Sequence, residues 1–174
     1  MRSAACEELL ISRVWETPHR YTFSMQCVQY LLKRYMEERE RWVDPFCGLN
    51  SPASFRNDAD ESIEAECHQD GLDFLKAVSI QSADGVLFDP PYSTEQALRK
   101  YKPKHGGTAG RAEYWAQCKN EISRIVRHGG TVISFGWDST GIGKKRGFEI
   151  VEILLICHGA CHNDTIVTVE RKRP

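Results

Sequence analysis

Long apolar runs are missing from this sequence. None approaches the roughly 18 residues that a membrane-crossing helix needs, so no transmembrane segment is expected. The opening residues, Met1-Arg2-Ser3-Ala4-Ala5-Cys6-Glu7-Glu8, carry acids where a secretory signal has its apolar core, which makes a cytoplasmic location the expectation. A disulfide framework is missing too. The seven cysteines are odd in number and irregularly spaced, and Cys27, Cys118 and Cys157 sit among apolar neighbours, where thiols behave as small core residues. Net charge is nearly absent, at −1, which argues against a generally basic nucleic-acid coat. There is no internal repeat, coiled coil or low-complexity tract.

What is present is the composition of a soluble globular chain: 174 residues, 41% hydrophobic and 27% charged, enough to bury a real core. One domain over 1–174 is expected, with 1–20 as an N-terminal extension. The charges are unevenly spread. Arg99 to Arg111 contains Lys100, Lys102, Lys104 and His105 and no acid, whereas Asp58 to Asp73 contains seven acids and no Lys or Arg. Such runs suit either two solvated patches or a separation of a cationic ligand from a polyanionic one.

Helical spacing of Met25, Val28, Leu32 and Tyr35 predicts a helix over Ser24–Glu40 with Ser24 as its cap. Arg41–Phe46 reads as a short strand breaking into a turn, and Ser54–Asp58 as a second strand ending in acid. Gly71–Val78, after Cys67-His68-Gln69-Asp70, reads as strand-like and then helical. Tyr114–Val126 is helical, with Cys118, Ile122 and Ile125 on one face, and His128-Gly129-Gly130 ends it. Thr131–Trp137 is a strand, and Phe148–Cys157 with Thr165–Arg171 forms an antiparallel hairpin. Ser93–Ala112, with three glycines, Pro103 and little periodicity, is a long surface loop of the kind that carries function. Strands alternating with helices predict an α/β three-layer sandwich.

The segment Asp84–Phe88 reads as a buried strand, and Asp89-Pro90-Pro91-Tyr92 follows it directly. Neither proline has an N–H to donate, so the chain must leave the sheet there. A carboxylate, a rigid carbonyl and an aromatic ring are then presented together, which is a kit for holding a flat, amino-bearing ring. Asp44, Asp58, Asp70 and Asp89 all fall at or just after predicted strand ends. In open α/β sheets ligands bind at that edge, so four acids there predict a ligand-binding rim.

The Asp89-Pro90-Pro91-Tyr92 turn resembles that of the methyltransferases that act on exocyclic nitrogens with S-adenosyl-L-methionine, above all the N6-adenine DNA methyltransferases. Asp44-Pro45-Phe46-Cys47-Gly48 is similar to the first cofactor motif of that family, and Thr22-Phe23-Ser24 to its upstream motif. The resemblance covers roughly residues 20–172. It implies a Rossmann-like class I methyltransferase fold, mainly parallel with a C-terminal antiparallel hairpin. It also implies S-adenosylmethionine bound by Phe23, Asp44, Phe46, Gly48, Asp58, Asp70 and Phe74. Asp58 would meet the ribose hydroxyls, Asp70 the adenine amino group, and Phe74 would pack on that ring. Asp89, Pro90, Pro91 and Tyr92 would carry catalysis. The sequence departs from the family after Gly48: Leu49-Asn50-Ser51-Pro52-Ala53 stands where many members have further small residues.

The substrate the resemblance implies is DNA, with the target adenine flipped from the duplex. Phosphate contacts are expected from Arg99, Lys100, Lys102, Lys104 and Arg111. With 174 residues there is no room for a separate recognition domain, so specificity would be loop-borne or come from a partner subunit or a second copy. Two alternatives stand beside this reading. One is an RNA methyltransferase acting on adenine N6 or guanine N2; the other is a non-catalytic nucleic-acid-binding subunit of the same fold. No metal is expected, because Cys157, His158, Cys161 and His162 crowd four ligands into six residues, unlike paired zinc-site spacing. His68 and His128 read as a packed residue and a helix-end charge.

Overall fold

The computed structural model describes residues 8–19, 21–38, 40–91, 112–159 and 163–174. They form one seven-stranded sheet, made of β1 (Leu10–Trp15), β2 (Trp42–Asp44), β3 (Phe55–Arg56), β4 (Ala83–Phe88), β5 (Val126–Gly136), β6 (Phe148–Cys157) and β7 (Thr165–Lys172). Its order is β1-β6-β7-β5-β4-β2-β3. All neighbours pair in parallel except β7, which runs antiparallel to both β5 and β6. Among the described residues the α-helices are α1 (Gln26–Tyr35), α2 (Gly71–Ala77) and α3 (Ala112–Ile125).

The sheet is covered on both faces, the condition under which parallel strands become almost wholly apolar. Phe23, Val28, Leu31 and Leu32, in and before α1, pack on Trp42, Leu87, Ile133 and Phe135. On the opposite face Leu72 and Leu75 of α2, with Cys118, Ile122 and Ile125 of α3, pack on Val43, Val86, Phe88 and Val132. This is the three-layer sandwich that the alternation of elements predicts.

Several local expectations change. The cap of α1 is not Ser24. The Glu16 carboxylate, reaching over from the end of β1, accepts from the amides of Gln26 at 2.7 Å and Cys27 at 2.9 Å. The strand-like start expected for Gly71–Val78 is absent: Asp70 accepts from the amides of Leu72 and Asp73 and starts a helix at once. His128-Gly129-Gly130 does not separate α3 from a strand, because β5 begins at Val126. A bulge absorbs these residues, since β4 advances from Ala83 to Gly85 while β5 advances from Val126 to Thr131. Residues 1–20 hold a strand, β1, which extends the sheet beside β6.

Along the chain, β3 lies on one side of β2 and β4 on the other, so the order reverses between β2 and β4. Clefts open at the carboxyl ends of strands flanking such a switch point. Asp44 closes β2 and Asp89 follows β4, one on each side of it.

Candidate active site

Asp44 is fully buried at the end of β2. Its Oδ1 accepts from the Phe46 amide at 3.0 Å and its Oδ2 from Ser51 Oγ at 2.6 Å, an arrangement that turns the chain away from the sheet. Burial pushes its pKa up to about 7 against these two hydrogen bonds, and the charges of Asp89 and Asp58 push the same way. The structure therefore gathers Asp44, Asp58 and Asp89 into one electrostatic neighbourhood.

Asp58 lies beyond β3, where Asn57 makes an isolated parallel bridge to Cys67. Its carboxylate is already in use: Oδ2 accepts from the Gly48 amide at 3.0 Å and Oδ1 from the Asp60 amide at 3.0 Å. Gly48 has φ +52°, the left-handed region that favours glycine, and no atom lies within 4 Å of where a Cβ would point. The turn after β2 is thus anchored to Asp58 and open on the glycine side.

Asn50, two residues on, is also left-handed at φ +66°. An asparagine fills a position where glycine is the usual choice, which accounts for part of the departure after Gly48. Its Nδ2 donates to Ser24 Oγ at 3.0 Å. The segments around residues 22–24 and 44–50 are therefore adjacent.

Asp70 lies behind this rim and is committed to structure. Besides capping α2, its two oxygens accept from Tyr114 Oη at 3.0 Å each. The rings of Phe23 and Phe74 lie in the core, 4% and 1% exposed. Phe23 packs edge-on against Phe135 and Phe74 against Phe55, so a ligand would meet either ring only after that packing opened. Phe46 is buried between Phe88 and Trp115; its amide, not its ring, faces the Asp44 carboxylate. Asp89, Pro90 and Pro91 are half-buried at the end of β4. Tyr92, Arg99, Lys100, Lys102, Lys104 and Arg111 lie outside the described residues, as do Cys161 and His162.

Two cavities flank the rim. The larger, about 440 Å³, lies between α1 and the segment 50–54 and touches Ser24 and Asn50 but none of the carboxylates of the rim. The smaller, about 250 Å³, abuts Pro90 and Pro91 directly.

No family model matches the sequence, and no curated protein aligns with it. Solved structures do match. A SAM-dependent methyltransferase from Archaeoglobus fulgidus aligns with a TM-score of 0.59, 11% identity, 84% of this chain and 94% of its own. A second, from Methanosarcina mazei, gives 0.58 at 8% identity over 82% and 97%. A candidate rRNA methylase from Clostridium thermocellum gives 0.53 at 13% identity over 84% and 94%. This chain has the Rossmann-like methyltransferase fold.

Within that fold, several contributors to the site were not singled out in the sequence. Ser51 supplies Asp44 with its hydroxyl donor. Asn57, fully buried, donates to the carbonyls of Pro45 and Gln69 and accepts from the Gln69 amide, stitching the turn after β2 to the segment before α2. Tyr114 on α3 holds Asp70. An isolated Ser, Asn or Tyr gives no signal of such a role, because its partner lies in another element. His68 and His158 are tied to backbone oxygens of Asp58 and Glu16. Among the described residues no group of three or more metal-ligating side chains occurs, and no helix is long and apolar enough to cross a membrane. Burial and the carboxylates of Asp44 and Asp58 push the Cys47 thiol up to about 12, which leaves it no thiolate nucleophile at neutral pH.

Proposed function

We propose that this protein transfers a methyl group from S-adenosylmethionine to an exocyclic amine of a nucleobase, with N6 of adenine in DNA as the target. The observation that carries the reading is the Asp89-Pro90-Pro91 turn at the end of β4, across the switch point from Asp44. The wider likeness of Asp89–Tyr92 to the amino-methyltransferase turn supports it, as does the shared fold.

The residues at the rim suit a cationic cofactor. Asp44 is a buried acid whose ionisation is opposed by burial and by two neighbouring carboxylates; a positive charge placed there would restore it. Gly48 leaves space for close approach. Asp44, the Phe46–Gly48 backbone and the free lone pairs of Asp58 would hold the cofactor. Asp70, Phe23 and Phe74 act behind them as supports. S-adenosylmethionine, when bound, supplies an activated methyl group on a sulfonium.

An aromatic amine is a poor nucleophile because its lone pair is delocalised into the ring. The Asp89 carboxylate and the Pro90 carbonyl accept its two N–H bonds and favour a pyramidal nitrogen. Both contacts strengthen as positive charge develops on that nitrogen, so they bind the transition state better than the ground state. Tyr92 stacks on the base and fixes its orientation. Arg99, Lys100, Lys102, Lys104 and Arg111 take the phosphates.

The test is incorporation of label from methyl-labelled S-adenosylmethionine into duplex DNA, single-stranded DNA and RNA. Labelled N6-methyladenine in DNA is expected. Label in RNA alone would move the substrate, and no binding of the cofactor at about millimolar concentration, a binding free energy weaker than about −4 kcal/mol, would leave only a binding subunit.

A further inference from the structure

On the α3 face of the sheet the cavity beside the proline turn is lined by Phe88, Pro90, Trp115, Lys119, Ser134 and Asp138, among others. At about 250 Å³ it is smaller than the roughly 300–1,000 Å³ of sites that take whole drug-sized ligands. It suits a single ring system. Trp115 and Phe88 give it flat apolar walls, which is what a planar heteroaromatic ring needs on its faces.

Two polar side chains in this lining have unmade contacts. Ser134 is 8% exposed, and its Oγ, buried from water, has no hydrogen-bond partner. Its cross-strand neighbour on β7, Thr168, is in the same condition. Buried hydroxyls almost always find partners, and Ser134, unlike Thr168, borders the cavity, so its unused donor is placed to meet an acceptor seated there. Lys119, on α3, is half-buried and makes no hydrogen bond or ion pair with a described residue. Burial holds its ammonium below the usual lysine range, while the carboxylates of Asp138 and Glu170 act to raise it. Neither acid pairs with it. Glu170 accepts from the amides of Ile142 and Gly143, and Asp138 from the amide and hydroxyl of Thr140.

We propose that Lys119 and Ser134 select the substrate, donating hydrogen bonds to ring-nitrogen acceptors of a single purine ring whose exocyclic amine lies at the Asp89–Pro90 turn. This rests on the methyl-transfer reading for the amine and on the cavity for the ring. Lys119 provides the stronger, charge-assisted contact. Ser134, on the sheet, provides a fixed neutral one. An all-carbon ring of the same size would leave both donors unmatched, so the site discriminates by the penalty of an unpaired buried group rather than by shape.

The experiment titrates the full chain with free adenine and with the three analogues in which ring nitrogen 1, 3 or 7 is replaced by CH, following fluorescence of Trp115 and Trp137. Wild type is expected to bind two of the analogues more weakly than adenine: the one lacking the Lys119 acceptor about tenfold, the loss of a charge-assisted contact, and the one lacking the Ser134 acceptor by less. Lys119→Met is expected to bind the first of these and adenine alike, while Ser134→Ala keeps the Lys119-dependent discrimination and loses that against the second. Thermal melting of both variants establishes that they fold. Identical affinity ratios for wild type and Lys119→Met would overturn the proposal. Transfer assays with the same analogues placed in DNA separate the two readings. A chain that discriminates the rings through Lys119 yet transfers no methyl keeps the cavity and loses the reaction. One that transfers methyl with ratios indifferent to Lys119 keeps the reaction and loses the cavity.

Discussion

Ser51 Oγ lies 2.6 Å from Oδ2 of Asp44, and the two side chains are buried together where the first turn leaves β2. The hydroxyl and the Phe46 amide favour the ionised carboxylate, yet burial outweighs them and the pKa rises to about 7. An acid whose folded-state pKa is raised contributes its full stability below the unfolded value of 3.8 and loses it as pH rises towards 7. Wild type should therefore lose about 2–4 kcal/mol relative to Asp44→Asn between about pH 4 and pH 8. Urea denaturation of both proteins across that range measures it, and parallel curves would contradict the assignment.

The same group gives a signature in cofactor binding. Ionised Asp44 attracts a cation and protonated Asp44 does not, so the affinity for S-adenosylmethionine should climb as pH rises through about 7. S-adenosylhomocysteine, which lacks the sulfonium charge, should show a shallower rise. Calorimetry at several pH values compares the two. A constant affinity ratio would mean that Asp44 does not face the cofactor.

Asp89→Ala should lower the transfer rate by about 10²–10³-fold or more, the size of effect seen when one preorganised polar contact to a transition state is removed. Cofactor affinity should change little, because its contacts lie across the switch point around Asp44 and Gly48. Single-turnover assays with calorimetry alongside separate the two quantities. Undiminished turnover would refute the catalytic role.

Gly71→Ala tests how firmly the rim is held. A Cβ at Gly71 would come within 2.3 Å of Phe46 Cε1, and the Phe46 ring is wedged between Phe88 and Trp115. Alanine improves helix propensity by at most about 1 kcal/mol, whereas overpacking a core costs about 1–3 kcal/mol. A net destabilisation and weaker cofactor binding are expected, since the Phe46 amide hydrogen-bonds Asp44. Denaturation midpoints and a cofactor titration check both parts.

The acids at strand ends were legible because an apolar run closing on an acid is a local pattern. Asp44 and Asp89 fall where that pattern puts them. Asp70 carries the same local signal but caps a helix, and only its contacts with Leu72 and Tyr114 distinguish the two uses. Strand β1 was not legible. Its residues are mostly exposed, with Ser12 and Arg13 interrupting the apolar ones, and it is held by pairing with β6, distant in sequence. Lys119 was hidden for a related reason. On a helix it reads as a solvated charge, and only the β5 residues beside it show that it borders a cavity.

Strand β7 is the last of the seven in chain order but lies between β6 and β5. Until residues 165–172 are in place, the sheet exists as two separate pieces, β1-β6 and β5-β4-β2-β3, each with an unpaired inner edge. Only residues 158–164 separate β7 from β6, so these two pair locally as a hairpin, and the one ladder that joins the two parts of the sheet is β5–β7. While that ladder is open, the inner edge of the part carrying Asp44 and Asp89 is a template for any extended segment nearby.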